Sequence, residues 1–238
     1  MFEFIQKYGL FYLLGGWPET ELGGFAGTLV LAGVGVGVSF PLAIVIGFAR
    51  TSKNPAFFIP ASVWVYMLRG IPLLMILFWA YFLIPELTGR AMTPFATAMA
   101  AIIIYESAFM AEIVRAGILG LPKGQTEAAR SIGLGYWQAM RYVVLPQALV
   151  NMIPSFVNQF VSTVKATSIV YIIGVSELTF VAQQVNAIEV TNPVRTFIVL
   201  AFFYFIPCWG LSVLSRKIER DIGTRRKAAN APGKEIRI

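Results

Sequence analysis

Few side chains in this sequence are placed to do chemistry inside an apolar environment, and they cluster at two positions. Glu106 lies near the middle of an uncharged run, and Lys165, followed by Thr167 and Ser168, ends another. An ionisable group at that depth is costly and marks a functional position by default. A lysine there needs an anion, either an internal acid such as Glu106 or Glu177 or the carboxylate of a bound molecule. Glu112 stands three residues before Arg115, a spacing that pairs them on one helix face. The chain has no histidine, which removes the commonest general base and transition-metal ligand and speaks against hydrolytic and metal chemistry. The single cysteine, Cys208, has no partner for an internal disulfide and reads as a packing residue.

A second cluster is polar and lies between apolar runs, from Lys123 to Pro146. Gln125 to Ile132 forms about two turns of helix, Gly133 supplies a residue free to take positive φ at its end, and Tyr136 begins a second helix. Two helical turns are not stable alone in water, so the element must be held by its own protein or by a partner.

The elements that position these residues are membrane spans. Of 238 residues, 57% are hydrophobic and 13% charged, and the mean hydropathy is +0.71, outside the soluble range. Long apolar runs predict an all-α membrane protein with five spans, at about 24–49, 57–85, 94–115, 142–164 and 194–215. The coupling stretch 121–146 lies between the third and fourth. Five spans gather Arg50, Lys53, Arg115, Lys123, Arg130, Arg141 and the basic tail on one face, which places that face in the cytoplasm and the N-terminus outside. A weaker tract after Lys165, broken by Gly174 and Glu177, then reads as a re-entrant or outer-surface segment. The second run is long, about 43 Å at 1.5 Å per residue. Its start is expected to project beyond the membrane, with Arg69 near the inner interface and Gly70 and Pro72 permitting a bend. Gly33, Gly35, Gly37 and Gly47 in the first span read as helix-packing residues. The expected organisation is one transmembrane domain, 1–218, and a disordered cytoplasmic tail, 219–238. The net charge of +7 lies between and after the spans, not on an aromatic and basic face, so no nucleic-acid partner is expected. No cleavable leader is expected either, because Glu3 and Lys7 interrupt the start.

The polar stretch resembles the EAA loop of the permease subunits of bacterial ATP-binding-cassette importers. Glu127, Ala128, Ala129, Gly133, Val143, Leu145 and Pro146 fall at the positions of that pattern, and Gln125 lies in its helix. Three further stretches narrow the resemblance to the polar amino-acid branch: Arg69-Gly-Ile-Pro-Leu-Leu, Glu106 through Ile118, and Lys165-Ala-Thr-Ser-Ile with Val175-Ser-Glu-Leu. Relatives often carry an acid where this sequence has Ala166. The resemblance implies the type I importer permease fold in the bacterial inner membrane, with a helix after Lys123 that couples to an ATPase. It implies as partners a second permease subunit, identical or related, two ATPase subunits and an extracytoplasmic solute-binding protein. No Gly-x-x-x-x-Gly-Lys-Ser/Thr loop occurs, so no cofactor is expected on this chain, and ATP and magnesium belong to the ATPase.

On that reading Lys165, with Thr167 and Ser168, lines the path and meets a substrate carboxylate, and Glu106 lies beside it. The substrate is then a polar amino acid, acidic or glutamine. The alternatives are an ion-gradient-driven transporter, which calls for inverted repeats not seen here, and a membrane enzyme, which calls for a nucleophile and base that the sequence lacks.

Overall fold

In hydrocarbon every backbone N–H and C=O must find a partner within its own segment, so uncharged runs of this length fold as helices. The computed structural model describes residues 2–190 and 192–229. Among them the chain forms helices joined by short turns and loops, with an isolated bridge between Gly15 and Leu22. In order come α1 (Phe2–Leu14), α2 (Gly24–Ala49), α3 (Pro55–Gly70), α4 (Leu73–Phe78), a π turn (Trp79–Leu83) and α5 (Ile84–Thr88). Then follow α6 (Pro94–Leu119), α7 (Lys123–Ser131), α8 (Tyr136–Ala139), a second π turn (Met140–Val144), α9 (Leu145–Ala166), a 3-10 turn (Thr167–Ile173), α10 (Leu178–Ile188) and α11 (Pro193–Ala229). Helix starts are written locally. Asn54 accepts from the Ala56 N–H at 2.9 Å ahead of Pro55, and Thr93 from the Ala96 N–H at 3.2 Å ahead of Pro94.

The long helices share one core centred on α6. Gly35 of α2 lies against Ile102, and Gly47 against Val114 and the Ala111 carbonyl, where a Cβ would come within 2.6 and 2.9 Å. Both contacts advance together along the two helices, so α2 and α6 run parallel, and α3 to α5 must carry the chain back between them. They do so as a broken span: α3 and the segment Leu73–Thr88 meet at 100° across Gly70 to Pro72. The excess length of this run is thus absorbed by a bend, with Arg69 at the break. Glu106 against Gln159, and Gly117 against Met152, show α9 antiparallel to α6. Ser215 donates to the Pro154 carbonyl at 3.0 Å, and Cys208 packs with Val161 and Val164, so α11 returns antiparallel to α9. Between them α10 has 11 residues, about 16 Å of rise, too short to cross. Four helices are thus long and apolar enough to cross a membrane, five with the bent pair counted as one span, which is the number expected, and the tract after Lys165 folds as the 3-10 turn and α10.

Three sequence expectations are revised. Gly33 and Gly37 meet nothing within 4 Å, so only Gly35 and Gly47 of the four are used for packing within this chain. An unexpected helix, α1, packs Phe4, Tyr8 and Tyr12 on Leu178, Ala182, Val185 and Val199. Finally, α11 continues through Ala229, past the boundary expected at 218, while 230–238 lie outside the described residues.

Candidate functional site

The polar loop folds as a short helix on a hinge. Gly133 takes φ +89°, a conformation that L side chains rarely adopt, and the reversal is closed by Gly133 N–H to Arg130 O (3.0 Å) and Leu134 N–H to Ala129 O (3.2 Å). Ala129 is buried, 4% exposed, and holds α7 to its own chain, whereas Gln125, Glu127 and Ala128 face outward. Glu127 has no ion pair among the described residues. Gln147 of α9 donates to Gln125 Oε1 at 3.2 Å and to the Val143 carbonyl at 2.9 Å, tying helix to loop. Pro146 falls in the first turn of α9, where its missing N–H is least costly, beside Leu145. The loop expected from sequence is therefore present as helix, glycine reversal and second helix, and α7 presents a polar, small-residue surface, with Lys123, Glu127 and Arg130 exposed, that its own chain leaves uncovered.

Inside the bundle the expected polar residues separate. Glu106 is buried, 1% exposed, and accepts from Gln159 Nε2 at 2.8 Å. Lys165 lies elsewhere, exposed on α9 and, among the described residues, in no ion pair; neither Glu106 nor Glu177 balances it. Thr167 is buried and its hydroxyl donates to the Val164 carbonyl at 2.8 Å, so it does not share the exposed face of Lys165. Ser168 donates to the Lys165 carbonyl at 2.7 Å. Glu177 is fully buried and caps α10: it accepts from Phe180 N–H (2.8 Å), Tyr204 OH (2.9 Å) and, more weakly, Thr28 Oγ1 (3.4 Å).

Glu112 pairs with Arg115, as its spacing predicts, at 3.1 and 3.2 Å from Nε. The sequence did not disclose that Arg50, at the end of α2, is buried against the same carboxylate, with Ser62 at 3.5 Å and the Tyr66 ring at 5.0 Å. Arg69 approaches to 3.9 Å and lies over the Phe109 ring. Arg50 could be found only from tertiary structure, because 62 residues separate it from Glu112.

Known proteins place these features. The model of the family described as "binding-protein-dependent transport system inner membrane component" matches residues 39–224. An inner membrane amino-acid ABC transporter permease of Escherichia coli is 34% identical over 92% of this chain, which spans 61% of that relative's length. A probable glutamine ABC transporter permease of Bacillus subtilis is 36% identical over 91% of this chain and 98% of its own. A crystal structure of an amino acid ABC transporter with histidines superposes with a TM-score of 0.82 at 31% identity, covering 93% of this chain and 98% of that one. The chain belongs to the binding-protein-dependent transport system inner membrane components and, among them, to the multi-pass inner-membrane permeases of amino-acid ABC transporters, transport subunits rather than enzymes.

Proposed function

We propose that the chain forms half of the translocation path of an ATP-driven importer of polar amino acids, paired with a second permease copy or relative. In this reading α7 seats in a cleft of an ATPase subunit, and an extracytoplasmic solute-binding protein delivers the substrate at the opposite face. The observation that carries it is α7 itself, a polar two-turn helix with Gln125, Glu127 and Ala128 outward on a Gly133 hinge. Such a helix must be held by its own protein or by a partner, and beyond the buried Ala129 its outward residues are left for a partner. Closure of two ATPases then moves α7, and the Gln125–Gln147 contact and the Leu145-Pro146 start of α9 pass that movement to the spans. The cationic ends of α2 and α6, where Arg50 and Arg115 both meet Glu112, support the reading of this side as cytoplasmic.

The substrate is best read as glutamine or an acidic amino acid, since Lys165, in no ion pair among the described residues, stands on an exposed helix face and can receive a carboxylate. ATP and magnesium belong to the ATPase. The test is co-purification from native membranes followed by uptake into proteoliposomes. Wild type is expected to retain an ATPase and to accumulate labelled L-glutamine or L-glutamate only with ATP. Glu127→Lys and Gly133→Pro, which reverse the charge at position 127 and forbid the hinge, are expected to lose the ATPase while remaining folded. A folded wild type that brings down no ATPase, or uptake driven by an ion gradient at constant ATP, overturns the proposal.

A further inference from the structure

One face of α9 is polar along most of its length. Asn151, Ser155, Asn158, Ser162 and Lys165 recur every three or four residues, so they lie along a single stripe of the helix. Ser155, Asn158, Ser162 and Lys165 are exposed and Asn151 half-buried, whereas Met152, Val161 and Val164 on the other side are buried. The stripe rises about 21 Å, most of a bilayer's apolar core of about 30 Å. A neighbouring face carries Val150 and Ile153, 49% and 41% exposed, the residues expected against lipid or an apolar partner.

Polar side chains at membrane depth face water or a polar partner, because hydrocarbon leaves their hydrogen bonds unmade. Two further observations favour water. At the lower end a cavity of about 330 Å³ opens between α6 and α9, lined by Glu112, Asn151 and Ser155 among others. At the upper end stands Lys165, in no ion pair among the described residues and too costly to leave against lipid. No acid occurs anywhere in α9.

We propose that this stripe is the water-contacting wall of the amino-acid path, that Asn151, Ser155, Asn158 and Ser162 pass the substrate along by hydrogen bonds, and that Lys165 selects against cationic side chains. The proposal rests on the importer reading and extends it to named wall residues and a substrate class. A cationic amino acid meets an uncompensated ammonium in this wall, whereas the extra carboxylate of an acidic one is attracted.

The assembled transporter, with Cys208→Ala to clear the background, tests this by single substitutions Ser155→Cys, Asn158→Cys and Ser162→Cys, with Ile153→Cys and Val150→Cys as controls. In proteoliposomes that retain ATP-driven uptake, a membrane-impermeant methanethiosulfonate is expected to label the three stripe positions at least tenfold faster than the controls. L-glutamate or L-glutamine is expected to slow that labelling several-fold. Lys165→Glu is expected to shift the ratio of L-arginine to L-glutamate uptake upward by tenfold or more, with ATPase retention unchanged. Stripe positions that react no faster than Ile153→Cys in an active complex overturn the wall and leave the importer reading intact. Fast labelling with an unchanged uptake ratio overturns the selective role of Lys165. Absence of any ATP-driven amino-acid uptake in wild type overturns the importer reading itself.

Discussion

Glu106 and Glu112 sit on the same helix, six residues apart, and solve the burial of a carboxylate in opposite ways. Glu112, near the end of α6, draws arginines from three helices: Arg50 of α2, Arg69 of α3 and Arg115 of α6. Glu106, nearly two turns deeper, accepts from the neutral Gln159 amide of α9 at 2.8 Å and is in no ion pair among the described residues. A charge cluster is affordable where guanidiniums reach interfacial water, and its value is to fix helices to one another. At the midplane the same cluster would cost several kcal/mol per ion, and a neutral amide is the cheaper partner. An amide can also donate or accept, so it serves the acid in either protonation state. Rigidity is thus concentrated at the end that carries α7, while the α6–α9 contact beside the polar stripe is held more lightly.

The comparison breaks most readily at Glu112. Glu112→Gln leaves Arg50, whose side chain is 3% exposed, without its anion. Removing one partner of a buried pair costs about 3–5 kcal/mol. The expected result is a large fall in the midpoint of thermal unfolding in mild detergent. A midpoint within the error of wild type would mean that Ser62 and the Tyr66 ring hold Arg50 alone, and that the cluster does not tie the helices together.

Glu177→Ala comes next. It removes the α10 cap and with it the partner of the Phe180 N–H, about 1–3 kcal/mol together, while the Tyr204 hydroxyl keeps Thr179 at 3.1 Å. The loss is expected to be moderate and local, seen as faster hydrogen exchange across α10. Uniform acceleration throughout the chain would instead show that Glu177 supports the whole fold.

How much of this was legible in the sequence follows from the range over which each contact acts. The α7 reversal was readable because Gly133 and its partners lie within a few residues. The break at Gly70 to Pro72 was readable for the same reason, although not its angle. The Glu112–Arg115 pair follows from helical spacing, but Arg50 reaches the same carboxylate only because Gly47 lets α2 approach α6. Of the anions offered for Lys165, neither Glu106 nor Glu177 pairs with it, since sequence depth locates a residue along the bilayer and says nothing of the face it occupies. The α1 helix was missed although Phe4, Tyr8 and Tyr12 recur every four residues, because Glu3 and Lys7 broke the apolar run. The stripe on α9 was in the sequence as a spacing, but only burial on its other side made it a wall.

Glu106→Gln sharpens the contrast from the other side. The substitution keeps size and a hydrogen-bonding atom toward Gln159, so the expected loss is under about 1 kcal/mol, far smaller than for Glu112→Gln. Glu106→Leu removes the partner of the half-buried Gln159 amide and is expected to cost about 1 kcal/mol or somewhat more. If Glu106→Gln destabilises as much as Glu112→Gln, then the charge of Glu106 matters and a cation must approach it in the assembled complex.

The smallest effect is expected at the outer surface, where Glu189 accepts from Lys7 at 3.0 Å and Tyr8 at 2.8 Å and so ties α1 to α10. The hydrogen bond from Lys7 holds the Glu189 carboxyl below the ordinary carboxylate range. A lowered folded value means that the contact contributes fully above the ordinary value of about 4.3 and is lost as the pH falls through the folded value. Both side chains are solvated and screened by salt, so Glu189→Gln is expected to change stability at neutral pH hardly at all. The informative measurement is the difference in unfolding midpoint between wild type and Glu189→Gln, followed downward in pH at low salt. It is expected to be small and favourable to wild type near neutrality and to vanish in acid. A difference that grows in acid would show that the carboxyl is protonated when it binds Tyr8, and that the ion pair with Lys7 is not what holds α1.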